Sequence, residues 1–191
     1  MMPVSFIAGT AVVLDDAGLD TGQILPPRFR AQPRGALFQD RRTADPGFPL
    51  RPAGNPPILL AGPDFGCGAA QEEAVLALLG GGIRCVITIG FGGIFCDMAA
   101  QWGLVTVVLV PDTFASLRKD ALTGAEIAVD LERERIGCGG LSYRFRMDRF
   151  RWRTLLAGMD EREPTRDSAI ADAIDRWEGA DARRRPWATP T

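Results

Sequence analysis

The 191-residue chain contains no histidine. That removes the side chain that titrates nearest neutrality and the commonest metal ligand, so acid–base chemistry must come from other groups or from a partner. Lysine is almost absent too. Lys119 stands alone and the other 21 of the 22 basic residues are arginine, a bias that codon usage in a GC-rich genome would produce. No apolar run approaches the ~18–20 residues of a membrane-spanning helix. The net charge of −2 argues against a dedicated nucleic-acid binder. Cys67, Cys85, Cys96 and Cys138 form no CxxC or CxxH pair, so neither a disulfide scaffold nor a metal site built from this chain alone is expected. The first ten residues lack a basic stretch followed by an apolar one, so no signal peptide is expected. These absences point to a cytoplasmic chain with reduced thiols, without membrane or nucleic-acid partners.

What is present is an ordinary globular balance of 46% hydrophobic and 24% charged residues, enough for a core. Apolar runs at residues 10–14, 58–61, 84–89 and 104–110 read as strands. Helices are expected over residues 69–79, closed by Gly80-Gly81-Gly82, and over residues 93–102. The resulting β-α-β-α-β order implies a parallel sheet with right-handed crossovers. Eight prolines between residues 15 and 57 exclude a long helix there, and residues 30–57 could be functional or disordered. Further on, residues 127–133 and 141–145 suggest a hairpin around a turn at 137–140. Helices are expected over residues 148–157 and 165–177, with a frayed tail over 179–191.

Three segments could carry chemistry. The first runs from Asp64 to Glu73, a glycine loop after a strand and before a helix. Gly66 and Gly68 would let the backbone approach a ligand, and the helix N-terminus would favour a carboxylate or phosphate. The alternative is a tight packing turn. Gln71 stands where a dinucleotide fingerprint needs its third glycine, and no GK[ST] follows. Cys67 lies between the glycines, but without histidine no Cys–His arrangement exists within the chain. The second segment holds Asp20, Thr21, Gln23 and Arg28. These could staple a loop through side-chain bonds, or face a ligand, with Arg28 a fork suited to carboxylates. The third interleaves Arg144, Arg146, Arg149, Arg151 and Arg153 with aromatics. It reads as arginines on solvent and aromatics in the core, with a nucleic-acid patch as the alternative.

Taken in order, three stretches resemble one known family: Gly9-Thr10-Ala11-Val12-Val13-Leu14, then Leu19-Asp20-Thr21-x-Gln23-Ile24-Leu25-Pro26, then Ile58-Leu59-Leu60-Ala61-Gly62-x-x-Phe65-Gly66-Cys67-Gly68. The family is the small subunit of 3-isopropylmalate dehydratase, the swivel domain of the aconitase superfamily. Gly82–Ile87, Phe91–Phe95, Gly103-Leu104-Val105 and Tyr143-Arg144-Phe145 fit it as well, so the resemblance spans about residues 5 to 178. It implies an α/β fold, a swivelling β/β/α domain with the parallel β-α-β-α-β core and a C-terminal hairpin and helices, as one domain over residues 1–178. It implies a hydro-lyase that moves a hydroxyl between adjacent carbons of a small dicarboxylate or tricarboxylate, in the pathway of leucine. It implies a heterodimer with a large subunit that carries a [4Fe-4S] cluster, no cofactor or metal in this chain, and a small subunit that closes over the substrate. Asp20, Thr21, Gln23, Arg28, Gly66, Gly68 and Gln71 are the substrate-binding positions by this resemblance.

The sequence departs from the family where the chemistry is carried. The resemblance implies Ser-Ser-Arg-Glu-His after the glycine loop, with the first serine as base and the arginine on a substrate carboxylate. Here Ala69, Ala70, Gln71 and Glu73 stand at four of those positions, and Glu72 alone is retained. Gly22 replaces an expected aspartate, and Asp97 and Met98 stand where asparagines follow Phe95. A methyl group transfers no proton and an amide makes no charge-assisted fork, so no catalytic residue is assigned. A working small subunit and a catalytically degenerate paralogue that binds a partner or ligand are both expectations of this pattern.

Overall fold

A computed structural model describes residues 2–158, 172–173, 175–177, 181 and 184–185. The helix expected over residues 165–177 and the tail expected over 179–191 lie largely outside them.

The chain crosses between two four-stranded sheets. Strand β1 (Phe6–Gly9) opens an antiparallel sheet, and β2 (Ala11–Leu14) immediately joins a parallel one. After β2 come α1 (Thr21–Ile24), a 3-10 turn at Pro27–Phe29, and α2 (Gln39–Ala44). Then β3 (Ile58–Ala61), α3 (Glu72–Gly81), β4 (Cys85–Thr88), α4 (Phe95–Trp102), β5 (Val105–Val108) and α5 (Pro111–Leu122) alternate. The parallel sheet runs β2-β3-β4-β5 in sequence order, with Ala11 opposite Ile58, Ile58 opposite Cys85 and Cys85 opposite Val105. Strands β6 (Ile127–Asp130), β7 (Arg135–Cys138) and β8 (Leu141–Arg144) complete the antiparallel sheet in the order β1-β6-β7-β8. Helix α6 (Arg149–Ala157) follows.

The burial of β3 and β4 on both faces explains this layering. Every residue of both strands is buried, as continuous apolar parallel strands must be. Leu59, Ala61 and Val86 face Leu37, Phe38, Phe48, Leu50, Val75 and Leu78. Ile58, Leu60, Cys85 and Ile87 face the antiparallel sheet, where Ile127, Val129, Ile136 and Cys138 are buried. The parallel sheet is thus sandwiched between helices and a second sheet, as the β/β/α expectation required.

Several boundaries differ from the sequence reading, each for a local reason. The expected hairpin is a three-stranded meander. Gly137 and Cys138 belong to β7, and the turn is the pair Gly139-Gly140, both with positive φ, which suits a two-residue hairpin turn. Strand β6 reaches β7 through a second turn with Glu134 at φ 51°. Helix α3 starts at Glu72 rather than residue 69, because Ala69 is held by Thr21 and Gln71 occupies the cap position. It ends as expected, with Gly82 left-handed at φ 105°. Strand β1 and helix α5, with Pro111 in its first turn, were not anticipated. The proline-rich stretch is neither loose nor purely functional, since Leu37, Phe38, Phe48 and Leu50 seal the helical face of the sheet.

Just past β2, Asp15 pairs with Arg118 of α5, and Asp16 pairs with Arg41 of α2 at 2.6 Å. The side-chain bond from Arg118 holds the Asp15 carboxyl below its usual value. Two predictions follow from these packings. Leu60→Ala, at a fully buried position, should lower the unfolding free energy by about 2–5 kcal/mol in urea titrations. For Asp15, a depressed folded value means its contribution is complete above the unfolded value of about 3.9 and fades as pH drops through the lower folded one. Asp15→Asn should therefore melt below wild type near neutral pH, and the gap in Tm should close at strongly acidic pH.

Candidate functional site

The carboxyl ends of β2, β3 and β4 bring three loops together, the position where open α/β sheets bind ligands. Backbone bonds prolong the sheet into these loops. The Gly66 N–H donates to Leu19 O at 2.7 Å and the Thr21 N–H to Cys67 O at 2.9 Å, with a parallel bridge between Asp20 and Cys67. On the other side the Gly92 N–H donates to Phe65 O at 2.9 Å, with a bridge between Phe65 and Phe91.

Aromatic packing fixes the underside. The Phe65 ring meets Phe95 edge-on at 5.6 Å, and Phe91 stacks on Phe95 at 5.8 Å. Gly66 has φ 74°, and a Cβ there would lie 2.4 Å from the Phe95 ring. A Cβ on Gly92 would lie 2.2 Å from Cys67 Cα. Both glycines are therefore required by contact. The loop then rises, so that Gly68, Ala69 and Ala70 are exposed, with Gly68 at φ 89°.

The seven positions implied by the resemblance fall into distinct environments. Gly66, Gly68, Thr21 and Gln71 gather at the loop. The Thr21 side chain is buried and its hydroxyl donates to Ala69 O at 2.9 Å. Asp20 and Gln23 form a reciprocal capping box on α1: the Gln23 N–H donates to Asp20 Oδ1 at 2.7 Å, and the Asp20 N–H to Gln23 Oε1 at 3.1 Å. Arg28 sits away from the loop in an exposed ion pair with Asp40. Gln71 is only 2% exposed. Its amide donates to Leu25 O at 3.0 Å and accepts from Arg30 Nη2 at 3.1 Å. The side chain thus braces α1 against α3 from within. Arg30 and Gly92 were missed in the sequence; Gly92 lay in a quoted motif, but its contact with Cys67 is visible only in three dimensions.

The first N–H groups of α3 lack a side-chain cap. They are available to an anion, which the helix dipole would favour. Glu72 and Glu73 occupy the same turn and work against one. No side chain on the exposed arc from Gly68 to Ala70 can carry a proton.

The cysteines do not converge. Cys85 and Cys138 are buried in the core between the sheets, and burial pushes both thiols up. Cys96 on α4 is pushed up by burial as well. Cys67 points its Sγ toward Gly18 O at 3.4 Å. Among the described residues no group of three or more Cys, His, Asp or Glu side chains could hold a metal ion, so the residues present do not fit an iron–sulfur cluster. Among the same residues no helix is long and apolar enough to cross a membrane.

This architecture defines a class: residues 38–111 match the aconitase C-terminal domain family. The similarity extends over 95% of the chain. The 3-isopropylmalate dehydratase small subunits of Agrobacterium fabrum strain C58 and Rhizobium meliloti strain 1021 are each 36% identical to it, across 95% of this chain and 97% of theirs. A crystal structure of 3-isopropylmalate dehydratase from Methanocaldococcus jannaschii superposes with a TM-score of 0.65 at 24% identity, covering 89% of this chain and 99% of that one. The chain belongs to the 3-isopropylmalate dehydratase small-subunit family.

Gly92→Ala should force the two loops apart, costing about 1–3 kcal/mol or more by overpacking. Urea denaturation would measure the loss, and faster reaction of the half-buried Cys67 with a thiol reagent would locate it.

Proposed function

We propose that the chain is the small subunit of a 3-isopropylmalate dehydratase-type hydro-lyase, acting in the cytoplasm in leucine biosynthesis. It closes over a small hydroxy-dicarboxylate bound at the [4Fe-4S] cluster of a large subunit. The observation that carries this reading is the glycine turn Phe65–Gly68, clamped between the α1 cap and the Gly90–Gly92 loop and presenting exposed backbone at Gly68–Ala70. The cluster supplies the Lewis acid that polarises the substrate hydroxyl. This chain's own part is positional: Gly66 and Gly68 allow close backbone approach, and the uncapped N–H groups of α3 offer donors to a carboxylate. Thr21 and Gln71 are bracing groups, holding the loop to α1.

A second reading is favoured by one specific observation. Ala69 and Ala70 fill the exposed arc with methyl groups, Gln71 turns inward, and Glu73 adds a carboxylate beside the donors. A subunit with this loop covers a substrate or partner without transferring a proton. The two readings share a fold and a partner and differ in turnover.

Reconstitution with the cognate large subunit tests both. A complex should form on both readings, and on the second isopropylmalate isomerisation should be weak. The triple variant Ala69→Ser/Ala70→Ser/Gln71→Arg should raise kcat by ~100-fold or more, the usual worth of a positioned proton-transfer group. Wild-type turnover equal to that of an Agrobacterium fabrum small subunit on its own large subunit would defeat the degenerate reading. Absence of any complex would defeat both.

A further inference from the structure

The arginine-rich segment is the feature that the site leaves unused. The structure gathers it at a cleft of about 1100 Å³ between the end of β5, the β6–β7 turn and the β8–α6 connection. Five arginines line it: Arg133, Arg135, Arg144, Arg146 and Arg149. Two carboxylates, Glu134 and Asp148, oppose them, and both are engaged by backbone. Asp148 accepts from the Phe150 and Arg151 N–H groups as the α6 cap, and Glu134 accepts from the Met147 N–H at 3.3 Å.

Three of the five arginines are tethered. Arg133 pairs with Asp130, Arg135 donates to Ser142 Oγ, and Arg149 lies over the Trp152 ring. Among the described residues, the side chains of Arg144 and Arg146 form no hydrogen bond or ion pair. In a chain whose net charge is −2, this is a segregated positive surface. Its floor is apolar: Val108 is 47% exposed and Val110 66%, at the outer edge of the parallel sheet. Exposed β-branched residues in a cleft with two unpaired arginine side chains have the composition of an interface.

Position selects the occupant. Val108 ends β5 and Val110 lies two residues beyond, as the glycine loop lies beyond the end of β3. The two strands are separated by β4 alone, or about 10 Å at ~4.8 Å per strand. A protein that covers the loop also reaches the cleft. We propose that this cleft is the electrostatic docking surface for the large subunit and takes a carboxylate-rich segment of it, with Arg144 and Arg146 forming the new ion pairs. The proposal rests on the reading above, that a large subunit covers the loop.

The test uses the full chain and the cognate large subunit. The Kd of the complex is measured at about 50 and about 300 mM NaCl, a range across which exposed ion pairs are progressively screened. Arg144→Glu/Arg146→Glu should weaken wild-type binding by ~10-fold or more and flatten its salt dependence. The milder Arg144→Gln/Arg146→Gln should fall between the two. Arg51→Glu, half that charge change in the segment that leads into β3, should shift Kd by less than ~2-fold. Circular dichroism checks that each variant is folded. Unchanged affinity in the folded double variants overturns the docking proposal and leaves the functional reading standing. Failure of wild type to bind the large subunit overturns both. Two further results overturn the proposal in favour of another occupant: sensitivity to these variants confined to binding of an RNA of about 20 nucleotides, or confined to self-association of the chain.

Discussion

The arrangement depends on backbone hydrogen bonds that continue the parallel sheet beyond its own strands. Leu19 and Thr21 on one side, and Gly90 and Gly92 on the other, grip Phe65, Gly66 and Cys67 between them. No side chain could substitute for this clamp, because each bond requires a main-chain group within 2.7 to 3.3 Å. That proximity is what excludes a Cβ from Gly92, while the Phe95 ring excludes one from Gly66. The buried strands β3 and β4 supply the rigid base, and the aromatic trio Phe65, Phe91 and Phe95 fills the space beneath the turn. Geometry at the loop is therefore inherited from the sheet and from contacts with the main chain. It can persist when the exposed side chains change.

The parts of the fold that were legible in the sequence are those written in local chemistry. Continuous apolar runs announced β3, β4 and β5, and a glycine cluster announced the end of α3. The proline-rich stretch hid its packing role, because Leu37, Phe38, Phe48 and Leu50 show neither a helical nor a strand period and are ordered by tertiary contact. The start of α3 was misplaced for a similar reason. Ala69 and Ala70 favour a helix intrinsically, but the bond from Thr21, 48 residues away, holds Ala69 in the loop. At the site, glycine spacing correctly marked the turn. The burial of Gln71 and the pairing of Arg28 with Asp40 depend on the positions of Leu25, Arg30 and α2, which no local pattern encodes.

Gln71 shows how the loop keeps its shape from within. A guanidinium at this point would have to stay solvated or find an anion. The neutral amide instead buries fully, satisfying Leu25 O with its donor and Arg30 with its acceptor. Removal of either bond would leave a buried polar group at a cost of about 1–3 kcal/mol. Gln71 is thereby part of the brace between α1 and α3.

Charge is distributed in a way that follows from the same division. In the first turn of α3 the charged groups are acidic, Glu72 and Glu73, and the cations Arg28, Arg41 and Arg118 are bound to Asp40, Asp16 and Asp15. Arginines without an ion-pair partner among the described residues, Arg144 and Arg146, instead lie two strands away at the cleft beyond β5. Charges that bind a small substrate must converge on it, whereas charges that steer a protein partner act at the rim and over a wider area. Arg144 and Arg146, whose side chains have no ion-pair partner among the described residues, suit the second role.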